Sequence, residues 1–209
     1  MSLSGFDHQW YDDGEGNSIH ESAVINWEFV KIGTGNVIGP GVCIGTDAQH
    51  ITKSSEGIIT IGNNNIIREY TTIHLPTAWS KLTAIEDNCY LMVNANIAHD
   101  CYIESNCIIS NNAAFGGHVY VMKNTNIGYS VSIHQFQVIG SYCMLGMGTI
   151  ITSKQDVVPG GLWYGNPGKS DRQNTIGLER RAVTDKMLEE ETIRMESIKL
   201  ERSKYKYDE

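Results

Sequence analysis

A single six-residue phase governs most of this chain. Steps of six from Ile61 meet Ile67, Ile73, Trp79, Ile85, Leu91, Ile97, Ile103, Ile109, Phe115, Val121, Ile127, Ile133, Ile139, Leu145, Ile151 and Val157, all apolar. A sustained internal period marks a repeat architecture. Ile32, Ile38 and Ile44 run in a neighbouring phase, and Ile19 and Ile25 begin the pattern. Two residues before the aliphatics lies a series of small side chains, among them Thr71, Cys89, Ala95, Cys101, Cys107, Ala113, Val119, Thr125 and Cys143. Residues two apart on a strand share a face, so each repeat sends one large and one small side chain inward. Three residues after the aliphatics come Asn64, Asn88, Asn94, Asn106, Asn112 and Asn124. Asn tolerates left-handed backbone and suits corners. Inward pair and corner, repeated, describe a triangular coil of three short strands, with successive coils ~4.8 Å apart. The pattern therefore predicts an all-β chain, a parallel β-helix. Its composition agrees: 21 Gly supply tight turns, and 4 Phe leave few large core aromatics.

Two stretches break the regularity. Asp47 to Gly57 is polar and separates the two phases, while His74 to Ala84 keeps the phase with unlike chemistry and reads partly as a loop leaving the coil. The repeat ends at Pro159-Gly160-Gly161. From about Thr184 to Lys204 the chain is rich in Glu, Lys, Arg, Met and Leu, with Val183, Met187, Met195 and Ile198 near helical spacing. The expected organisation is an N-terminal extension over 1–18, a β-helix over 19–160, and a C-terminal extension over 161–209 with one amphipathic helix that needs a partner surface.

The formal net charge of −8 argues against nucleic acid as a partner, since phosphate neutralisation needs a basic surface. No apolar run approaches the ~20 residues that span a bilayer. The N-terminus, Met1 to Tyr11, lacks a charged-then-apolar signal pattern, so a cytoplasmic location is expected. Cys43, Cys89, Cys101, Cys107 and Cys143 form an odd set without a C-x-x-C pair, which suits reduced thiols. Four of them occupy the small inward slot and read as buried small hydrophobes.

Seven histidines occur. His8, His20 and His50, at the N-terminus or in a polar loop, carry no signal. His74, His99, His118 and His134 lie within or beside the regular coils. His99, His118 and His134 are 19 and 16 residues apart, close to the 18 of one coil, so they are expected to stack along one edge, outside the inward slots and facing solvent or a neighbouring subunit. Such a row beside Asp100 suits a general base, because imidazole titrates near neutral pH. Corner residues acting as polar caps are the bland alternative. A metal site is the third reading, and spacing weighs against it: histidines on three consecutive coils span about 10 Å, too far for ligands ~2.0–2.1 Å from one ion. No metal is therefore expected.

At these residues the chain resembles the UDP-N-acetylglucosamine acyltransferases of lipid A synthesis. The segments that carry the likeness are NNIIREYTTIH (Asn64 to His74), LMVNANIAHDC (Leu91 to Cys101), NNAAFGGHVYV (Asn111 to Val121), SIHQFQVIG (Ser132 to Gly140) and NTIGLERR (Asn174 to Arg181). They span roughly Ile58 to Arg181 in the family's order. The resemblance implies a left-handed coil, a homotrimer, and acyl transfer from acyl carrier protein to a UDP-amino sugar, with no cofactor. It implies that His99 is the base, that Asp100 orients it, and that the Gly117 backbone N–H serves the oxyanion. It also implies substrate contacts for His74, His118, His134 and Gln135, and nucleotide or phosphate contacts for Asn174, Arg180 and Arg181. Lys53 is a further candidate for a substrate contact. Lys169, Arg172, Arg180 and Arg181 offer cations to an acidic carrier protein.

The chain departs from the family in several places. The N-terminal repeat run is shorter, and one helix stands where the family has a small helical domain. Asn96 replaces a histidine of the IAHD segment, and Ile176 a nucleotide-contacting glutamate. Met147 stands where long-chain members have Gly, so a short or medium 3-hydroxyacyl group is expected, with Met147 as the ruler of chain length. An N-acyltransferase acting on a nucleotide-linked amino sugar, and a non-catalytic β-helical scaffold, remain as alternatives.

Overall fold

In the computed structural model, which describes residues 9–206, each hexapeptide forms a two-residue strand and a tight corner. His8 and most of the stretch read for a targeting signal lie outside these residues. The corners are made by left-handed residues recurring every six positions from Asn88 to Tyr142, with φ between 52° and 63°. The expected Asn corners, Asn64, Asn88, Asn94, Asn106, Asn112 and Asn124, are all among the left-handed residues. Between corners, the aliphatic of each repeat points inward, and Ile97, Ile103, Ile109, Ile127, Ile139, Leu145 and Ile151 are wholly buried. The small slot is filled as predicted: Cys89, Cys101, Cys107 and Cys143 are buried free thiols.

Strands pair in parallel with the strand one coil later. Tyr90 faces Ile108, Asn96 faces Ala114, and Tyr102 faces Tyr120, a step of 18 in each case. This produces three sheets, of ten, seven and six strands. The first face runs from Ser18–His20 to Met144–Leu145, the second from Val24–Ile25 to Ile150–Ile151, and the third from Val30–Ile32 to Val138–Ile139. The result is a left-handed parallel β-helix around one continuous aliphatic core. Both ends of the first sheet close with an antiparallel strand: Trp10–Asp12 on Ser18–His20, and Lys169–Gln173 on Gly161–Tyr164. Strand edges left open would template association with another chain.

The two irregular stretches are insertions at one corner, between the second and third faces. Ile73 on the second face is followed on the third by Ile85, twelve residues on instead of six. The extra hexapeptide loops out and returns the chain in the same phase. Trp79 therefore does not fill an inward slot; it sits on the outside of the corner, half-buried among rings. One coil earlier, the longer insertion that contains Asp47 to Gly57 separates Ile44 from Ile61 and shifts the phase.

The C-terminal segment holds two α-helices where one was expected: α1, Thr175–Arg180, and α2, Asp185–Arg202, which ends in a 3-10 turn over Ser203–Lys206. Thr184 caps α2 by accepting the Met187 N–H. The buried side of α2 is Leu188, Glu191 and Met195, while Met187 is exposed. Its partner surface is the third face of its own coil, where Met195 packs on Met122 and Val138. Glu191 is tolerated there because Lys123, Ser141 and Arg194 contact its carboxylate at 2.7, 2.6 and 3.0 Å. Among the described residues, no helix is long and apolar enough to cross a membrane.

Candidate active site

The corner between the second and third faces gathers the chemistry. In three successive coils its left-handed residue is Asp100, then His118, then Phe136, 18 residues apart. The two insertions lie at the same corner in the preceding coils and fold over this column.

Asp100 is wholly buried and heavily hydrogen-bonded. Its carboxylate accepts from the Thr77 N–H at 3.1 and 3.2 Å, from the Thr77 hydroxyl at 2.8 Å, and from the Ser80 hydroxyl. His99 Nδ1 lies 2.7 Å from Oδ2 of the same carboxylate. Burial pushes the Asp100 pKa up, but the bond from His99, the nearby His118, Ser80 and Thr77 outweigh it, and the net position is below the usual carboxylate range. An ionised carboxylate only accepts, so the Nδ1 of His99 carries the proton in this pair. Nε2 is then the nitrogen with a free lone pair, the arrangement a base requires.

His118 is almost fully buried. Its ring stacks on Phe136 at 4.7 Å and lies 5.5 Å from the rings of Trp79 and His99. Its Nε2 approaches Asp100 Oδ2 at 3.3 Å. Neither ring nitrogen makes a well-aligned hydrogen bond among the described residues, so the approach is a contact and not a bond. Burial pushes the imidazole down to about 4, leaving it neutral at pH 7.

His99 lines a cavity of about 450 Å³ with Gln49, His50, Ile51, Thr52, Lys53, Trp79 and Gln135. The Lys53 ammonium stands 4.7 Å over the Trp79 ring, a cation–π contact that leaves a positive charge at the cavity wall. His50 Nδ1 accepts the Thr52 and Lys53 amides at 3.2 and 3.0 Å, and its ring lies 5.5 Å from that of His99. Gly117 packs directly against the His99 ring: a Cβ there would lie 2.6 Å from Nε2 and closer still to Cε1. The Gly117 N–H has no acceptor among the described residues.

The expected row of three exposed histidines is corrected by this geometry. His99, His118 and His134 fall two, three and one residues after their aliphatics, and so occupy different slots of the repeat. Only His134 is exposed, with Nδ1 3.0 Å from the Gln135 carbonyl oxygen. The spacing argument against a metal also fails for two of the histidines, because ligand atoms of His99, Asp100 and His118 lie within 4.8 Å of one another. The 2.7 Å between His99 and Asp100 is nevertheless a hydrogen-bond separation, shorter than two ligands of one ion keep when each lies ~2.0–2.1 Å from it in tetrahedral geometry.

The other expected residues lie apart from the cavity. His74 is buried with both ring nitrogens engaged: Nδ1 near the Asp47 carbonyl and the Thr46 hydroxyl, Nε2 accepting from Asn96. Asn96 itself bridges His74 and Thr72. Asn174 caps α1 and donates to the Tyr142 carbonyl at 3.0 Å. Arg180 and Arg181 are exposed at the end of α1, and Ile176 is exposed on it. Met147 is 78% exposed at a different corner, between the first and second faces. Sequence reasoning missed Thr77, Ser80, Trp79 and His50. The available signal was that both interruptions fall at the corner that carries His99.

A family model described as bacterial transferase hexapeptide (six repeats) matches residues 83–117. The acyl-[acyl-carrier-protein]--UDP-N-acetylglucosamine O-acyltransferase of Synechocystis sp. is 40% identical over 155 residues, 74% of this chain and 55% of that protein. The same-named protein of Gloeothece citriformis is 37% identical over 77% of this chain and 58% of its own length. Among solved structures, the UDP-N-acetylglucosamine acyltransferase of Bacteroides fragilis superposes with a TM-score of 0.77 at 34% identity, covering 83% of this chain and 68% of that one. The Campylobacter jejuni protein gives 0.70 at 30% identity, covering 83% and 81%. The chain belongs to the UDP-N-acetylglucosamine acyltransferase family. It spans little more than half the length of the curated members it matches. Both the His99–Asp100 pair and Gly117 fall inside the residues matched by the family model.

Proposed function

We propose that the protein transfers an acyl group from acyl carrier protein to a hydroxyl of a UDP-amino sugar such as UDP-N-acetylglucosamine, with His99 as general base. The observation that carries this reading is the His99 ring, tied to an ionised Asp100 through Nδ1 and facing a cavity through its other edge. His99 Nε2 takes the acceptor hydroxyl's proton as the oxygen attacks the thioester carbonyl. The Gly117 N–H, beside the same ring, stabilises the oxyanion, and His99 returns the proton to the departing carrier thiol. Lys53 supplies positive charge for the diphosphate. His74 and His118 act indirectly in this reading, as wall and support, while His134 and Gln135 contact substrate at the rim.

Asn174, Arg180, Arg181 and Met147 are remote from the cavity in one chain, which supports a homotrimer whose clefts combine corners of neighbouring subunits. The donor carries a short or medium 3-hydroxyacyl chain ended by Met147. The location is the cytoplasm. The test is a mass-spectrometric assay pairing UDP-sugars with acyl-carrier-protein and coenzyme A thioesters of graded length. His99→Ala is expected to lower turnover by roughly 100- to 10,000-fold with the assembly intact. Near-normal turnover by that variant would overturn the assignment. Product made only on a sugar amine would replace O-transfer with N-transfer.

A further inference from the structure

Arg202, at the end of α2, reaches back to the corner that carries the candidate base. Its Nη2 donates to the carbonyl oxygens of Asp100 at 2.9 Å and His118 at 3.0 Å. These are successive left-handed corner residues, with φ of 60° and 61°. The His118 N–H in turn donates to the His99 carbonyl at 3.0 Å. One guanidinium thus ties together the backbone of the three residues whose side chains form the site.

The placement of that guanidinium is specific. It lies over the Tyr120 ring at 5.3 Å and near the Tyr205 ring at 5.8 Å, and the Tyr205 ring lies 5.1 Å from that of His118. It lines a separate cavity with Phe136, Gln137 and Lys199, not the one lined by His99. Arg202 therefore approaches the site from behind and does not face the space that would hold substrate. Simple attachment of α2 does not need it. Met195, Glu191 and Arg194 already anchor the helix, and Arg194 pairs with the buried Glu104 as well as Glu191. Five fixed N–H donors let one Arg bridge two carbonyls.

We propose that Arg202 is a positioning residue: by holding the Asp100 and His118 carbonyls, the end of α2 sets the backbone from which the His99–Asp100 pair projects. The consequence for turnover rests on the reading of His99 as the base; the consequence for the pair's geometry does not. Docking of α2 and alignment of the site are thereby one event.

The test uses the full chain with Arg202→Gln and Arg202→Lys, and Arg194→Gln as a control that weakens the helix attachment elsewhere. Two readouts are taken: the proton resonance of His99 Nδ1–H in histidine-labelled protein, and kcat and KM separately. Arg202→Gln is expected to shift or broaden that resonance and to lower kcat roughly 10- to 100-fold with KM changed less than about threefold. Arg202→Lys, which reaches one carbonyl, recovers part of both. Arg194→Gln lowers Tm and leaves resonance and kcat in place. An unshifted resonance and normal kcat in Arg202→Gln, with a lowered Tm, would reduce Arg202 to a helix fastener and overturn the proposal. If Arg202→Gln does not fold, the same result in Arg202→Lys overturns it. A shifted resonance alongside an active His99→Ala variant supports the positioning role and discards the base.

Discussion

Asp100 stands in a slot where half of the corners from Asn88 to Tyr142 carry asparagine, and in the proposed mechanism that difference turns a corner into a reaction centre. Asp100→Asn keeps a residue that tolerates left-handed backbone, so the fold is expected to survive. The amide offers His99 a donor where an acceptor was, which favours the wrong tautomer. Turnover is expected to fall roughly 100- to 10,000-fold with little change in Tm, as checked by kinetics and thermal melting. Gly117→Ala has a different cost: its Cβ displaces the His99 ring, so activity is lost while the coil, whose φ at 117 is ordinary, still forms. His118 adds a pH signature. Its folded pKa of about 4 lies below the ordinary ~6.5. Between those values the unfolded chain binds a proton that the folded chain refuses. Stability from this group is therefore full above about pH 6.5 and lost as pH falls toward 4, by at most roughly 3 kcal/mol. His118→Phe copies Phe136, already left-handed one coil on. Urea melts at pH 7 and 4.5 are expected to show a smaller acid loss in that variant. The repeat made the corner slot readable, but coil arithmetic good to one or two residues placed His99, His118 and His134 together when each belongs to a different slot.

At the scale of elements, the strands were legible because each hexapeptide of the coil buries one large apolar side chain, be it Ile97, Phe115, Val121 or Leu145. The insertions were legible only as breaks. Where they travel depends on contacts 20 or more residues away, such as Thr77 and Ser80 with Asp100. For α2, the spacing found the helix, and Val183, Met195 and Ile198 pack as it implies, while Met187 is exposed. The buried side of the helix includes Glu191, which a charge-counting reading assigns to solvent, and the ion pairs that permit burial come from the coil. Met195 is wholly buried between that coil and the helix. Met195→Ala is expected to cost about 2–5 kcal/mol in urea unfolding, with α2 loosening before the coil. Equal unfolding of helix and coil at wild-type stability would contradict this packing.

The whole molecule leaves two faces of the prism for neighbours, since α2 covers part of the third. A trimer built on the uncovered surfaces can bring the Met147 corner of one subunit toward the His99 corner of the next. A series of acyl donors is expected to favour short or medium chains, and Met147→Gly to move the optimum to longer ones; an unmoved optimum removes the ruler. Sedimentation measures the assembly directly. The proposed assembly rests on the family resemblance, since the repeat describes only how one chain buries its own side chains.

The antiparallel strands at the two ends carry a further consequence. Each coil touches only the coils before and after it, so stability accumulates locally along the axis. With both ends of the first sheet closed, overall length becomes an adjustable quantity. A block of 18 residues can enter or leave near Asn112 to Asn124 only at the cost of the site, and on the C-terminal side it would carry α2 and Arg202 away from Asp100 and His118, whereas the same block placed between the N-terminal strand and the two insertions leaves the corner column undisturbed. Evolution can thus count such a protein in whole coils, changing how long it is without rewriting what its one special corner does.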